Sequence, residues 1–283
     1  MIEPGTIQTA TVMEKQQKSY LLNLGTHHVR LSEEEAVDDL NIGDSINVFI
    51  YTDKAGKPAA TMRLPEATAA AYGWADVAAV VPALGVFVNL HLPKDILVPK
   101  DDLPFMQDVW PQPNDQLYVI LSKDKQGRLL ARPAKENVIL EQSIPASKDM
   151  LNEHVTGRVY RAGKVGSFIW TDGQIRAFLH HQERRAEPRM GEEIEARVID
   201  VKDDGTINIS QRPDKLESMD EDAHAILLHL SRHRGEIPFS DKSDPEAIQE
   251  TFHISKAAFK RAVGRLMKRG LIEQTKSGTI RTK

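Results

Sequence analysis

"GKVGSFIWTDGQIRAFLHHQERRA", residues 163–186, decides how this chain folds. Its first half reads as a strand, with Phe168 between a serine and an isoleucine. Eleven residues after the phenylalanine comes Leu179, followed by His180 and His181, in a second strand-like run. An aromatic so placed either fills a core or is held out to meet something flat. Taken alone, burial is the more frequent fate of a strand phenylalanine.

The same arrangement recurs twice upstream. Strand-like runs carry Tyr20 in "KSYLLNL" and Phe87 in "GVFVNL", and eleven residues later stand Leu31 and Val98. Arg63, Arg132 and Arg212 close the three units, 43, 45 and 44 residues after their aromatics. Before each arginine lies a charged turn ("DKAGK", "DKQGR", "KDDGT") whose glycine suits a positive φ, flanked by the alternation of half-buried strands. Units of about 65 residues built from short antiparallel strands predict five-stranded OB-fold barrels. The expected barrels span 1–65, 72–140 and 153–213.

From residue 214 the period becomes helical. Met219, Ala223, Ile226, Leu227 and Leu230 form one stripe, and Asp244-Pro245 and Ser255 are helix starts, with Gly270 a helix stop. A last hairpin turns at Lys276-Ser277-Gly278. Three helices and a hairpin predict a winged helix-turn-helix over 214–283. Its third helix sets Phe259, Ala262, Val263 and Leu266 on one face and Arg261, Arg265 and Lys268 on the other. The predicted fold class is therefore a mostly β region of three tandem OB-fold barrels followed by an α+β winged helix.

The 283 residues carry a net charge of −4, unevenly spread. Residues 255–283 hold nine Lys or Arg against the single acid Glu273, leaving 28 basic and 40 acidic residues before them. A basic binding element on an acidic body is the expected footprint of a polyanion binder. The absence of cysteine excludes disulfides, thiolate zinc sites and cysteine nucleophiles and fits a reducing compartment. The first twenty residues lack a signal-peptide pattern and no apolar run reaches about 18 residues, so a cytoplasmic protein without membrane contact is expected.

The motif "GRV", "GSFI", "FLHH" and "NISQR" of the third unit resembles the RNA-binding domain of ribosomal protein S-one type, an OB-fold variant. The whole chain, including the helix "SKAAFKRAVGRL", resembles the conserved virulence factor B family of bacterial RNA-binding regulators. The resemblance implies an RNA-facing surface of Phe168, His180 and Arg212. Tyr160 and Trp170 are placed on that face by strand alternation, and Arg158 and Lys164 are counted with them. A second aromatic usual in the motif is Val165 here, and an acid before the last turn is Lys202. Ser32 and Pro99 stand where the third unit has His180, so the first two barrels are expected to be spacers or interaction modules.

Such a set suits single-stranded nucleic acid: aromatics stack bases, histidine stacks or donates, and arginine bonds phosphate. The winged helix would add Lys256, Lys260, Arg261, Arg265, Lys268, Lys276 and Arg281. Arg212 equally reads as a barrel cap. His229 and His233, four apart on a helix, read as helix-end histidines rather than metal ligands. No catalytic residue, cofactor or metal is expected. The expected partner is single-stranded RNA, and the expected role post-transcriptional regulation. The alternative is a duplex-DNA-binding transcription regulator that uses the winged helix, with the barrels as partner-binding modules. A protein partner through the winged helix or the first two barrels is the further partner left open.

Overall fold

The computed structural model describes residues 2–53, 55–212, 215–275 and 278–282. The chain divides into two compact units, Met1–Gln211 and Arg212–Lys283. The first unit is three closed five-stranded barrels. Barrel 1 is β1 (Ile7–Gln16), β2 (Ser19–Leu24), β3 (His27–Ser32), β4 (Ser45–Thr52) and β5 (Pro58–Thr61). Barrel 2 is β6 (Gly73–Val81), β7 (Gly85–Asn89), β8 (Ile96–Pro99), β9 (Gln116–Lys123) and β10 (Leu129–Pro133). A short helix, α1 (Glu136–Gln142), leads to barrel 3: β11 (His154–Ala162), β12 (Gly166–Thr171), β13 (Arg176–His180), β14 (Glu193–Val201) and β15 (Ile207–Ser210). In each barrel the strand order is first, second, third, fifth, fourth, with a parallel pairing between third and fifth.

The fourth and fifth strands join through the charged turns, where Gly56, Gly127 and Gly205 take φ of 79°, 78° and 78°. Every second residue along the strands enters the barrel. In barrel 3 these include Val159, Ile169, Leu179, Val198 and Ile209, all at or below 1% exposure. Closure leaves no free sheet edge within a barrel.

The ladders correct the equivalence of the three aromatics. Gly85 pairs with Pro99 and Gly166 with His180, but Ser19 pairs with Ser32, so the first hairpin is one residue shorter. Counting eleven residues across it lands one position early. Leu21 stands where Phe87 and Phe168 stand, whereas Tyr20 is 1% exposed in the core of barrel 1. A slip of one residue exchanges the two faces of a strand. Arg132 is also out of step. The parallel ladders align Ala59, Leu130 and Asn208, which sets Arg132 inside β10 level with Ser210. There it pairs with Asp102 and donates to Ser122 Oγ at 3.2 Å.

A β-bulge interrupts the first strand of every barrel: between Val12 and Glu14, Val77 and Ala79, and Val159 and Arg161. The extra residue breaks the alternation locally and sends two consecutive side chains outward. In barrel 3 these are Tyr160 and Arg161.

The second unit comprises α2 (Lys215–Arg232), β16 (Glu236–Ile237), α3 (Pro245–Phe252), α4 (Lys256–Lys268), β17 (Ile272–Gln274) and β18 (Ile280–Thr282). Its sheet has the order β16-β18-β17, so a two-residue strand absent from the sequence reading completes the wing. Asp244 and Ser255 cap α3 and α4, accepting from Ala247 N–H and Ala258 N–H. Phe259, Ala262, Val263 and Leu266 of α4 are buried with Ala223, Ile226 and Leu230 of α2. The Met219 side chain and the turn residues Lys276 and Ser277 lie outside the described residues.

The register correction is testable. Tyr20→Ala should destabilise the first unit by about 3–5 kcal/mol, as large-to-small core changes do. Leu21→Ala, on the outer face, should cost less than half of that in urea denaturation followed by circular dichroism.

Candidate nucleic-acid interface

The outer face of barrel 3 carries one row across all five strands. Arg161 of β11 pairs with Phe168 of β12, Phe168 with Phe178 of β13, Phe178 with Asn208 of β15, and Asn208 with Asp200 of β14. Phe168 lies outside the barrel core and is half-buried among its row neighbours. The Arg161 guanidinium sits 3.9 Å from its ring centroid, and the Phe178 ring lies at 5.0 Å, tilted 52°. Tyr160 approaches to 6.2 Å. The outermost flat surface of this ledge is thus a guanidinium plane backed by aromatic rings, and either kind of surface stacks a base.

His180 ends β13 next to Gly166, beside the ledge. Its ring stands 6.2 Å edge-on from Phe178 and 4.2 Å from His181. Its Nδ1 accepts from Gln182 N–H at 3.3 Å, which assigns the proton of the neutral ring to Nε2, a donor suited to phosphate or a base edge. Lys164 is exposed in the β11–β12 turn. Arg176, Phe178 and Thr206 line a shallow groove beside Phe168, with Lys202 and Asp204 at its rim.

One carboxylate organises the edge of this surface. Glu136, at the start of α1, accepts from Tyr160 Oη at 3.1 Å and Arg176 at 2.5 Å and lies 3.5 Å from Arg161. Burial raises the Tyr160 phenol above its ordinary pKa, so it remains a neutral donor.

Two sequence candidates belong elsewhere. Trp170 shares the parity of Phe168, but its outward direction meets barrel 2 instead of solvent. It is 5% exposed, 5.0 Å from Tyr118 and 6.0 Å from Trp74, and is not available to stack a base. Arg158 belongs to the same seam. It lies 5.3 Å over Trp74 and its guanidinium bonds Asp172 and Glu193, each at 2.8 Å. Arg189 joins that seam through two 3.1 Å bonds to the buried Asp115 of barrel 2. Arg212 follows β15 and is exposed at the start of the second unit.

Arg161 and Phe178 were missed in the sequence. The period-two rule assigns Arg161 to the interior, and only the bulge turns it out. Phe178 was legible, because it alternates with His180 on the same strand.

In the second unit, Lys260, Arg261 and Lys268 are exposed on α4, with Lys256 and Arg265 half-buried. Arg281 of the wing is paired with Glu273, so its charge is largely offset. Lys276 lies outside the described residues. The His229 and His233 rings stack at 4.1 Å, with His233 Nδ1 2.8 Å from the His229 carbonyl. Burial, with His233 and Arg232 nearby, lowers the His229 pKa. Among the described residues no cluster of three or more His, Cys, Asp or Glu is placed to hold a metal, and no helix is long and apolar enough to cross a membrane.

Barrels of this topology with a surface aromatic–basic row, followed by a winged helix, define a protein of nucleic-acid-binding domains. Family models agree domain by domain: an S1 domain over residues 4–63, the CvfB first S1-like domain over 72–132, the second domain of virulence regulatory factor CvfB over 139–213, and a CvfB-like winged helix domain over 224–280. The chain belongs to the conserved virulence factor B family. It is 38% identical over 272 residues to conserved virulence factor B of Staphylococcus aureus (strain N315), covering 95% of this chain and 90% of that one. It is 43% identical over 282 residues to the uncharacterized protein YitL of Bacillus subtilis (strain 168), covering 100% and 95%. A crystal structure of a multidomain protein with nucleic acid binding domains from Streptococcus pneumoniae TIGR4 matches with a TM-score of 0.70 at 34% identity, over 99% of this chain and 98% of that one.

The two fates of outward aromatics on β12 separate experimentally. Trp170→Ala should destabilise the first unit by about 3–5 kcal/mol in chemical denaturation. Phe168→Ala should remove well under half as much.

Proposed function

We propose that this chain is a non-catalytic RNA-binding protein of the cytoplasm that takes single-stranded RNA on the outer face of barrel 3 and regulates gene expression after transcription. The carrying observation is the Arg161–Phe168–Phe178 row with His180 beside it. A flexible strand offers unpaired bases to such a ledge, and each stacked base contributes about 1–3 kcal/mol with little sequence preference. Duplex bases are already stacked on each other. The exposed cations of α4 supply salt-dependent phosphate contacts. The regulatory part is supported by the description of the matched family as a virulence regulatory factor.

A second reading is favoured by α4 itself, a capped helix presenting Lys260, Arg261 and Lys268, the type of element that enters a duplex groove. Filter binding separates the two. Under the RNA reading, a short single-stranded RNA binds better than duplex DNA of equal charge, and Phe168→Ala weakens it about tenfold, within the range for one stacked base. Charge reversal at Lys260, Arg261 and Lys268 should flatten the dependence of log K on log salt by about two, near 0.7 per lost phosphate contact. Preferential duplex binding that survives Phe168→Ala would establish the DNA reading instead.

Glu136 supplies a separate check. Its carboxylate competes with phosphate for Arg161 and Arg176. Glu136→Gln should therefore tighten RNA binding about threefold to tenfold at low salt, an effect of roughly one charge near a surface, and the gain should shrink as salt is raised.

A further inference from the structure

We infer that Phe105 of barrel 2 is an additional stacking residue for the RNA strand, standing beside a cleft between barrels 2 and 3, an inference that rests on the single-stranded-RNA reading of barrel 3. Phe105 is 103% exposed, while the other seven phenylalanines of the chain are buried or half-buried. Its neighbour Met106 is 55% exposed.

The exposure is built into the loop. Just before Phe105 in the chain, the Pro104 carbonyl accepts from the indole N–H of Trp110 at 2.6 Å, and Trp110 is itself only 4% exposed. Just after it, the Met106 carbonyl accepts from Val109 N–H at 3.3 Å. Barrel 3 holds the same loop, since Met190 N–H donates to the Val109 carbonyl at 2.9 Å. Backbone anchored from two barrels fixes the point from which the side chain projects, which reduces the entropy lost when a ligand stacks on the ring.

The loop also borders the barrel 3 ledge. A cleft of about 410 Å³ has Leu103 and Pro104 on one wall and Tyr160 and Arg161 on another. Arg161 lies over Phe168 as well, so one side chain belongs to both the ledge and the cleft. A strand leaving the ledge past Arg161 meets the loop that displays Phe105.

The local charge admits a polyanion. Asp102 is matched by Arg132, and Glu136 by Arg161 and Arg176. The exposed acids Asp101 and Asp108 are balanced by the exposed Lys100 and Lys135. A protein-docking face would need a contiguous apolar area of several hundred Å². A base needs one ring, and Phe105 and Met106 stand among charged neighbours.

Fluorescence anisotropy with labelled oligouridines of roughly four and sixteen nucleotides, the range of site sizes for such barrels, tests this on the full chain. Phe105→Ala should leave the short RNA unaffected and weaken the long one about tenfold, a fold-change within the range for one stacked base. Phe105→Trp should restore the long-RNA affinity. Because the ring touches little, the substitution leaves the fold intact. If Phe105→Ala changes neither length while Phe168→Ala weakens both, the inference is overturned and the barrel 3 reading stands. If Phe168→Ala changes neither length, both fail together.

Discussion

A closed barrel of five short strands has room inside for every second side chain and no more. The opposite set must point away from the axis, whatever its chemistry. In barrel 3 this constraint holds Ile169 and Leu179 in the interior and turns Phe168, Trp170, Phe178 and His180 outward. What those outward residues then do depends on what lies outside the barrel at each point.

At one end of β12 the outside is barrel 2. Trp170 is enclosed there with Trp74 and Tyr118, while Arg158 and Arg189 bring cations to the seam. Two residues along the same strand the outside is open, and Phe168 becomes part of a ledge. One strand therefore supplies both the join between barrels and the candidate binding surface, which ties their relative placement to the barrel contact. The bulge at Tyr160 adds an arginine to the ledge that strict alternation would have turned inward. Glu136 links the connector helix to the same surface.

The three barrels share this plan but not its surface chemistry. At the position of Phe168, barrel 1 has Leu21 and barrel 2 has Phe87; opposite, where barrel 3 has His180, they have Ser32 and Pro99. Leu21 pairs with Glu14 and Arg30, and Phe87 with Ala79 and Leu97. Neither row has a cation stacked over a ring flanked by a second ring. Barrel 2 instead contributes the seam with barrel 3 and the loop that displays Phe105.

The sequence by itself determined the number of barrels, their turns, the winged helix with its capped helices, and the buried faces of α2 and α4. These follow from local periodicity and turn chemistry, which any stretch of chain carries within itself. It also singled out Phe168 and His180, because a motif with its spacing survives in the linear order. Only the tertiary structure decided that Tyr20 is core while Leu21 is surface, since a hairpin shorter by one residue exchanges faces without altering composition. Only the structure sent Trp170 into a seam, turned Arg161 outward and gave Glu136 its three partners. Those outcomes depend on a bulge, a neighbouring barrel and a connector helix that meet in space and lie far apart along the chain.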